Sequence, residues 1–355
     1  MPSGKRLLQL LLVFVPVTLY LGLTHASPTW IFLSACLAVL PLAGLMGEAT
    51  EHLTHHAGPG VGGLLNASFG NAAELIIGLM ALRAGEVEVV KASLTGSIIG
   101  NILLVLGLAM LVGGWRHAEL RFSRIAAESG SATMLLAVTA LVIPAIYAAT
   151  HHGRPDDVES MSLDISWVLI LTYAASLVFS LKSHRHLFAA EGDDAAMELE
   201  HGRPWSVRRS LVVLLAASAG VGVVSEFLVH AIDAAGTALG LSKLFMGVVV
   251  VALVGNAAEH STAVLMAMRG KMDLALGIAM GSSMQIALFV APVLVIAGHL
   301  MGQPLGLEFT ALEVAAVVLS VGVVTVVILD GRTNWFEGVQ LLAVYAILAV
   351  AFFFA

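Results

Sequence analysis

Residues 70–74 read Gly-Asn-Ala-Ala-Glu, and the same five residues occur again at 255–259, 185 positions later. The offset is maintained beyond this motif. The further matching pairs are Gly85 with Gly270, Gly96-Ser97 with Gly281-Ser282, Leu103 with Leu288, Val105 with Val290, and Gly113 with Gly298. Agreement at one offset over such a stretch indicates an internal duplication, and this duplication decides the fold.

The composition places the duplication in a membrane. Hydrophobic residues make up 59% of the 355 residues and charged residues only 12%, and the mean hydropathy is +0.95. Soluble domains average about 45–50% apolar and about 25% charged residues. The net charge of -7 argues against a nucleic-acid partner in so apolar a chain. The single cysteine, Cys36, excludes a disulfide framework within the chain.

Apolar windows of about 20 residues, enough to cross about 30 Å of hydrocarbon, predict an all-α membrane protein with about eleven transmembrane helices. They lie near residues 6–24, 30–50, 63–83, 92–114, 130–150, 164–182, 209–231, 243–268, 273–298, 309–329 and 335–355. The first window also fits a signal peptide, because Lys5 and Arg6 precede it and small residues follow at 26–27.

The distribution of lysine and arginine predicts the orientation. With a cytoplasmic N-terminus, thirteen of the 17 lysines and arginines fall on the cytoplasmic side and four on the other. An even number of spans would destroy this bias, which supports the count of eleven. An odd number of spans puts the two termini on opposite sides, so the C-terminus is expected outside. The two Gly-Asn-Ala-Ala-Glu copies then lie in spans of opposite direction. Such inverted repeats place ion sites near the bilayer midplane and work by alternating access.

The longest polar stretch divides the chain into predicted domains. Residues 1–29 form a first helix and loop, 30–182 the first repeat, 183–208 a cytoplasmic linker and 209–355 the second repeat. The linker holds five acidic residues, namely Glu191, Asp193, Asp194, Glu198 and Glu200. It is either a solvated connection or a segment that collects cations or regulates transport, and its spacing leaves both open.

Glu74 and Glu259 are the candidate ion-binding and metal-binding residues. Intramembrane carboxylates are functional by default, and a hard divalent cation needs several oxygen ligands and carboxylate charge. When the cation leaves, desolvation and mutual repulsion make two adjacent carboxylates costly to keep ionised, so protons replace it. This chemistry predicts exchange of a divalent cation for protons at one site.

Amides and hydroxyls accompany these acids. Asn71 and Asn256 lie one helical turn before the glutamates and share their face. Other polar residues occur in the partner spans, where they either line the ion path or bond helices together; they are Ser97, Ser282, Asn101 and Gln285.

A second pattern, Glu-x-x-x-His, occurs at Glu48 and His52 and again at Glu226 and His230. Residues four apart share a helix face, so each acid is expected beside its histidine. These residues belong either to the ion path or to helix ends that meet water.

The residues at 70–76 and 255–260 resemble the two signature repeats of the calcium/cation antiporter superfamily, and within it the proton-coupled Ca²⁺/H⁺ exchangers. Stretches 47–51, 96–103, 225–228 and 281–286 support the resemblance. It implies one extra N-terminal helix followed by two inverted five-helix repeats. Glu74 and Glu259 match the family's central ion-binding acids. Asn71, Asn256, Ser97, Ser282, Asn101 and Gln285 match its polar positions, whereas Ser283 and Met284 depart from the usual residues.

The resemblance also implies pathway residues. Glu48 and Glu226 match acids of the access path in the proton-coupled branch, and His260, directly after the second acid, matches that branch as well. The chain is therefore expected to be a Ca²⁺/H⁺ antiporter rather than an enzyme, with Ca²⁺ and protons as transported substrates and no cofactor.

Several alternatives stay open. A Na⁺(K⁺)/H⁺ antiporter or a Na⁺/Ca²⁺ exchanger has the same fold, and a passive cation channel or an intramembrane metalloenzyme would also place acids in the bilayer. The lipid bilayer is the expected partner, and the sequence leaves homo-oligomerisation open. A polar N-terminus of about six residues favours a bacterial inner membrane.

Overall fold

The computed structural model describes residues 8–150, 155–183 and 205–355. The predictions of a signal peptide and of an acidic linker rest partly on residues 1–7 and 184–204, which lie outside this part, as does Arg154. The helices are α1 Leu8–Leu23, α2 Pro28–Phe69, α3 Ala72–Arg83, α4 Val87–Arg116, α5 Arg124–Thr150, α6 Asp156–Ser183, α7 Val207–Leu239, α8 Lys243–Gly255, α9 Ala257–Met268, α10 Met272–Leu300, α11 Ala311–Ile328 and α12 Trp335–Phe354. Two short strands, β1 Leu120–Arg121 and β2 Arg332–Thr333, pair antiparallel.

The helices fall where the apolar windows predict them. Within the described residues, eight helices are long and apolar enough to cross a membrane, and α8 with α9 forms a bent pair that counts as a ninth span. The first window corresponds to the shorter apolar helix α1. The window 63–83 is divided at residues 70–71 into the end of α2 and α3. The count of eleven spans and their division into five plus five stay predictions.

Helix α2 extends beyond the predicted end of its span at residue 50. Its apolar part runs to Ala57, and the chain then turns back sharply. In a straight helix, residues eight apart are about 12 Å apart. A Cβ atom at Gly62 would nevertheless lie 2.8 Å from the carbonyl oxygen of Thr54. The second portion of α2 thus folds back and leads into α3.

Both copies of the repeated motif interrupt a helix. Asn71, at φ -100° and ψ 27°, separates α2 from α3, and Asn256, at φ -91° and ψ 4°, separates α8 from α9. The second break bends the chain by 62°. A break inside a membrane is tolerated where the freed polar groups are buried in protein or line a cavity. Both asparagines are buried in the bundle, where such a break is tolerated.

Short π-helical segments interrupt the two helices that face these breaks. They occupy Gly100–Val105 in α4 and Ile286–Val290 in α10. At the 185-residue offset, the first segment corresponds to residues 285–290, so the two segments are equivalent. π-Bulges are rare and occur frequently at functional sites. Both lie next to the polar residues singled out in the sequence.

Ion pairs and hydrogen bonds gather one set of loops at an end of the bundle that we call the Lys243 end. Lys243 Nζ lies 2.7 Å from Glu86 and 2.9 Å from Asp233. Lys91 Nζ, in the first turns of α4, lies 2.8 Å from Glu308 in the loop before α11. His299, in the last turn of α10 before that loop, lies 2.7 Å from Glu159 in α6. The loops before α4, α6, α8 and α11 are therefore on one side of the molecule.

A second set of loops gathers at the opposite end, the Arg332 end. Strands β1 and β2 pair there, and Arg332 lies 3.7 Å from Glu119. The Ser123 backbone amide donates to Asp273 across 2.5 Å. The connections before α5, α10 and α12 thus share this side.

The motif helices α3 and α9 run in opposite directions. Helix α3 ends with Arg83, which lines a cavity with Glu226 in the part of α7 that leads to the Lys243 end. Helix α9 ends beside His117 at the Arg332 end, where a Cβ atom at Gly270 would lie 3.4 Å from the His117 ring. This is the arrangement that an inverted repeat predicts for its two copies.

Candidate functional site

Glu74 and Glu259 meet in the middle of the bundle. Each lies in the first turn after a helix break, Glu74 in α3 and Glu259 in α9. A Cβ atom at Gly255, one turn before Glu259, would lie 3.5 Å from Cγ and Oε1 of Glu74. The structure thus brings the two predicted acids into one site.

Each glutamate presents a free oxygen to this site. The Oε2 atoms of Glu74 and Glu259 are buried and have no hydrogen-bond partner within the described part of the chain. An ionised carboxylate deprived of water and partners is strongly destabilised. The pair therefore needs a cation or protons to complete it.

A frame of amides and hydroxyls surrounds the glutamates, and the two motifs contribute to it reciprocally. Ser282 Oγ donates to Asn71 Oδ1 across 3.0 Å, and Asn256 Nδ2 donates to Ser97 Oγ across 2.8 Å. At the 185-residue offset these are the same pair of positions with the two halves exchanged. The asparagine of each half thus bonds to the serine of the other half, and all four side chains are buried.

Other bonds of this frame have no counterpart in the opposite half. Asn101 Nδ2 donates to Asn256 Oδ1 at 3.3 Å and to Ser282 Oγ at 3.0 Å, while Asn71 Nδ2 donates to Gln285. His260 Nε2 lies 3.1 Å from Asn101 Oδ1. The residues equivalent to Asn101, Gln285 and His260 are Ile286, Gly100 and Leu75. The site is therefore symmetric in its core and asymmetric around it.

This set of side chains suits a hard cation. It offers two carboxylates together with amide and hydroxyl oxygens, the ligands that Ca²⁺ takes. Within the described ranges, no three His, Cys, Asp or Glu side chains form a group that could hold a metal ion. The two carboxylates carry the negative charge that a divalent cation needs. The oxygen ligands differ from the nitrogen and sulfur ligands of zinc sites.

Glu226 and His230 line a cavity of about 220 Å³ with Met80, Arg83 and Ala84. His230 Nδ1 lies 2.7 Å from the backbone carbonyl of Glu226 rather than from its carboxylate. The cavity lies towards the Lys243 end, where α3 finishes. Sequence reasoning missed Arg83, although it ends the helix that carries Glu74.

The other Glu-x-x-x-His pattern forms a different environment. His52 is buried and its ring lies 4.5 Å from that of Trp205, whereas His230 is exposed. Glu48 is partly buried, one turn before His52. The two patterns therefore differ in their surroundings, since His52 packs on an aromatic ring and His230 bonds to backbone.

Comparison with known proteins decides the family. The family described as "Sodium/calcium exchanger protein" matches residues 27–182 and 209–354, which is most of the chain. The chain belongs to the sodium/calcium exchanger protein family.

Relatives of this chain include a "Ca(2+)/H(+) antiporter" of Aphanothece halophytica, 45% identical over 97% of this chain and 95% of that one. The "Ca(2+)/H(+) antiporter ChaA" of Bacillus subtilis is 43% identical over 96% of each chain. The solved structure of native YfkE is 39% identical and superposes with a TM-score of 0.86 over 98% of this chain and 99% of that one. The exchanger-family fold and the membrane location are thus established for this chain.

Proposed function

We propose that this chain is a secondary active antiporter that exchanges Ca²⁺ for protons. The observation that carries the proposal is the pair of half-buried glutamates, Glu74 and Glu259, each in the first turn after a helix break. Each has a buried Oε2 atom without a hydrogen-bond partner in the described part of the chain. The two relatives named Ca(2+)/H(+) antiporters support the choice of substrates.

The chemistry of the pair accounts for coupling. Bound Ca²⁺ compensates the two carboxylates, and protons compensate them when Ca²⁺ is absent. The uncompensated pair is costly because burial and mutual repulsion both oppose two adjacent negative charges. If the protein changes its open side only with the charge compensated, cation movement in one direction requires proton movement in the other.

The frame around the glutamates has a supporting role. Asn71, Asn256, Ser97, Ser282 and Gln285 place neutral oxygens around the carboxylates, some of which complete the coordination of Ca²⁺. Glu48 and Glu226 lie on the paths that lead to the site from the two ends of the bundle. Alternating access would expose the glutamates first to one end and then to the other.

The proposed orientation places the Arg332 end in the cytoplasm and the Lys243 end outside. Its support is the distribution of cations, since Arg83, Lys91 and Lys243 are the described cations associated with the Lys243 end. The remaining described lysines and arginines belong to the other end, as the positive-inside rule requires for the cytoplasmic side. The N-terminus is then cytoplasmic and the C-terminus outside, and a bacterial inner membrane stays the predicted location. The two matched segments, 27–182 and 209–354, support a division into two repeats.

The decisive experiment measures proton movement in acid-loaded proteoliposomes with an internal pH dye, after separate addition of Ca²⁺, Na⁺ or K⁺. Alkalinisation by Ca²⁺, with matching uptake of radioactive Ca²⁺, is the expected result. Alkalinisation by Na⁺ or K⁺ alone would replace this function by Na⁺(K⁺)/H⁺ exchange. Ca²⁺ uptake that needs internal Na⁺ would indicate a Na⁺/Ca²⁺ exchanger, and uptake that needs neither counter-ion would indicate a channel.

The matched control is the Glu74→Gln protein reconstituted at equal density. Glutamine preserves the volume of the side chain and removes its charge, so leaks through the protein or the vesicle persist while exchange stops. A signal of equal size from the variant would show that the site lies elsewhere.

A further inference from the structure

A chain of hydrogen bonds runs from a backbone carbonyl to His260. It begins at Asn256, whose Nδ2 lies 2.9 Å from the carbonyl oxygen of Ala252 and 2.8 Å from Ser97 Oγ. A carbonyl oxygen only accepts hydrogen bonds. The contact with Ala252 therefore fixes the amide nitrogen of Asn256 on that side and leaves Oδ1 facing Asn101.

The orientation of Asn101 follows from that of Asn256. The Asn101 side chain lies 3.3 Å from Asn256 Oδ1 and 3.0 Å from Ser282 Oγ. Because Asn256 Oδ1 can only accept, the group of Asn101 that faces it must be the amide nitrogen. Turning the Asn101 amide over would set two oxygens against each other. Asn101 Oδ1 is thus directed to the other side.

His260 lies on that other side, with Nε2 3.1 Å from Asn101 Oδ1. An amide oxygen has no hydrogen to donate, so the imidazole must donate, and Nε2 must carry hydrogen. We propose that Asn101 is a positioning residue that holds the ring of His260, in its neutral form, as the Nε2–H tautomer. In return, His260 keeps the Asn101 oxygen from coordinating a bound cation. The proposal rests on the proposed function for its second part only.

The hydrogen bond to His260 makes Asn101 Oδ1 a poor ligand for a cation. A cation approaching Asn101 Oδ1 would meet the positive end of the His260 N–H dipole. The amide nitrogen of Asn101 is already committed to Asn256 and Ser282, so Asn101 has no second orientation that would present its oxygen. Leu75 and Ile286 occupy the equivalent positions of the other half, so this arrangement exists on one side of the site only. His260 then limits the number of oxygens that a monovalent cation such as Na⁺ finds there.

Nitrogen NMR of the full chain labelled with ¹⁵N-histidine tests the tautomer without any transport assay. The His260 signals are identified by their loss in His260→Gln. The expected result is a protonated Nε2 and an unprotonated Nδ1 in the neutral ring. The opposite tautomer in the wild-type protein would overturn the proposal, and this outcome does not depend on any variant.

Two variants test the role of Asn101. Asn101→Leu should lose the single tautomer and give a mixture, because the acceptor is gone. Ser97→Ala is the matched control, since it removes another buried polar partner of Asn256 but leaves the Ala252 carbonyl in place; the tautomer should be retained. If Asn101→Leu does not fold, Asn101→Ser, whose hydroxyl is too short to reach the ring, replaces it. A single unchanged tautomer in the Asn101 variant would contradict the positioning role.

Equilibrium binding of radioactive Na⁺ to the purified protein tests the second part. His260→Leu frees the Asn101 oxygen, so Na⁺ should bind about tenfold more tightly, the effect of one added contact to a charged group. The double variant His260→Leu/Asn101→Leu should lose this gain. Unchanged Na⁺ binding in the single variant would overturn the second part. Because neither measurement uses Ca²⁺ or proton flux, failure of the proposed exchange activity is recognised separately, in the proteoliposomes.

Discussion

Two side chains at the centre of the bundle carry the proposed chemistry. Glu74→Gln and Glu259→Gln should each abolish Ca²⁺-driven proton movement, by at least about a hundredfold, because one carboxylate cannot compensate a divalent cation in a buried site. Proteoliposome flux measures the loss. Thermal unfolding in detergent is the control, and both variants should unfold no earlier than the wild type because the amide preserves the side-chain volume. Full exchange by either variant would contradict a shared site.

Glu226 and Arg83 carry opposite charges and line one cavity. Removing the charge of each should therefore change the KM for Ca²⁺ in opposite directions. Glu226→Gln should raise the KM for Ca²⁺ about two- to fivefold with little change in kcat, since an accessible charge attracts the cation but does not bind it in the site. Initial rates of Ca²⁺ uptake at varied external Ca²⁺ measure the effect.

Arg83→Gln is the matched control for the cavity and should lower KM. Both effects should shrink as ionic strength rises, because salt screens accessible charges. A KM that is insensitive to salt, or a shift in the same direction for both variants, would contradict an electrostatic role.

The sequence singled out side chains that the structure brings together, but not how they pair. Glu74, Glu259 and their asparagines were found because the motif is duplicated, and duplication is visible in a sequence. The bond of Asn101 to His260 was not predictable, since its partners are 159 positions apart and only three-dimensional packing joins them. Arg83 was missed for the same reason.

At the scale of elements, the crossing of α4 and α8 depends on a residue without a side chain. A Cβ atom at Gly96 would overlap the carbonyl of Val248, and backbone cannot move aside as a flexible side chain can. Gly96→Ala should therefore destabilise the protein by about 1–3 kcal/mol, which a lower midpoint of thermal unfolding in detergent would show.

Gly277→Ala in α10 is the control for Gly96→Ala. A Cβ atom there meets nothing within 4 Å, and alanine is the better helix former by about 1 kcal/mol. The midpoint of unfolding should stay equal or rise. Equal destabilisation by the two substitutions would mean that the loss comes from the helix itself and not from the crossing.

Helix positions were predictable because about 20 apolar residues are needed to cross a bilayer, and each predicted window falls on helix. The interruptions were not. Gly-Asn is a weak helix-forming pair, but the sequence alone does not show that Asn71 and Asn256 break their helices or that π segments widen α4 and α10. These departures are concentrated at the site, where the pairing of polar groups across the bundle overrides local preference.

At the scale of the molecule, the loops divide between two ends, and only their charge indicates which end faces the cytoplasm. Single cysteines at Ala118, near the Arg332 end, and at Gln303, near the Lys243 end, test the orientation in a Cys36→Ala background. Both positions are exposed. A membrane-impermeant thiol reagent applied to intact cells should label Gln303→Cys at once and Ala118→Cys only after permeabilisation. The reverse order would invert the proposed topology.

The reciprocal bonds between Asn71 and Ser282 and between Asn256 and Ser97 have a consequence for ancestry. Each half leaves its asparagine and serine to be satisfied by the other half, so one half alone has no complete site. A gene that encoded a single repeat would gain a working site only if two copies were inserted with opposite orientations and then paired. In such an ancestor, the loop charges that decide insertion would have been under selection before the two copies were fused.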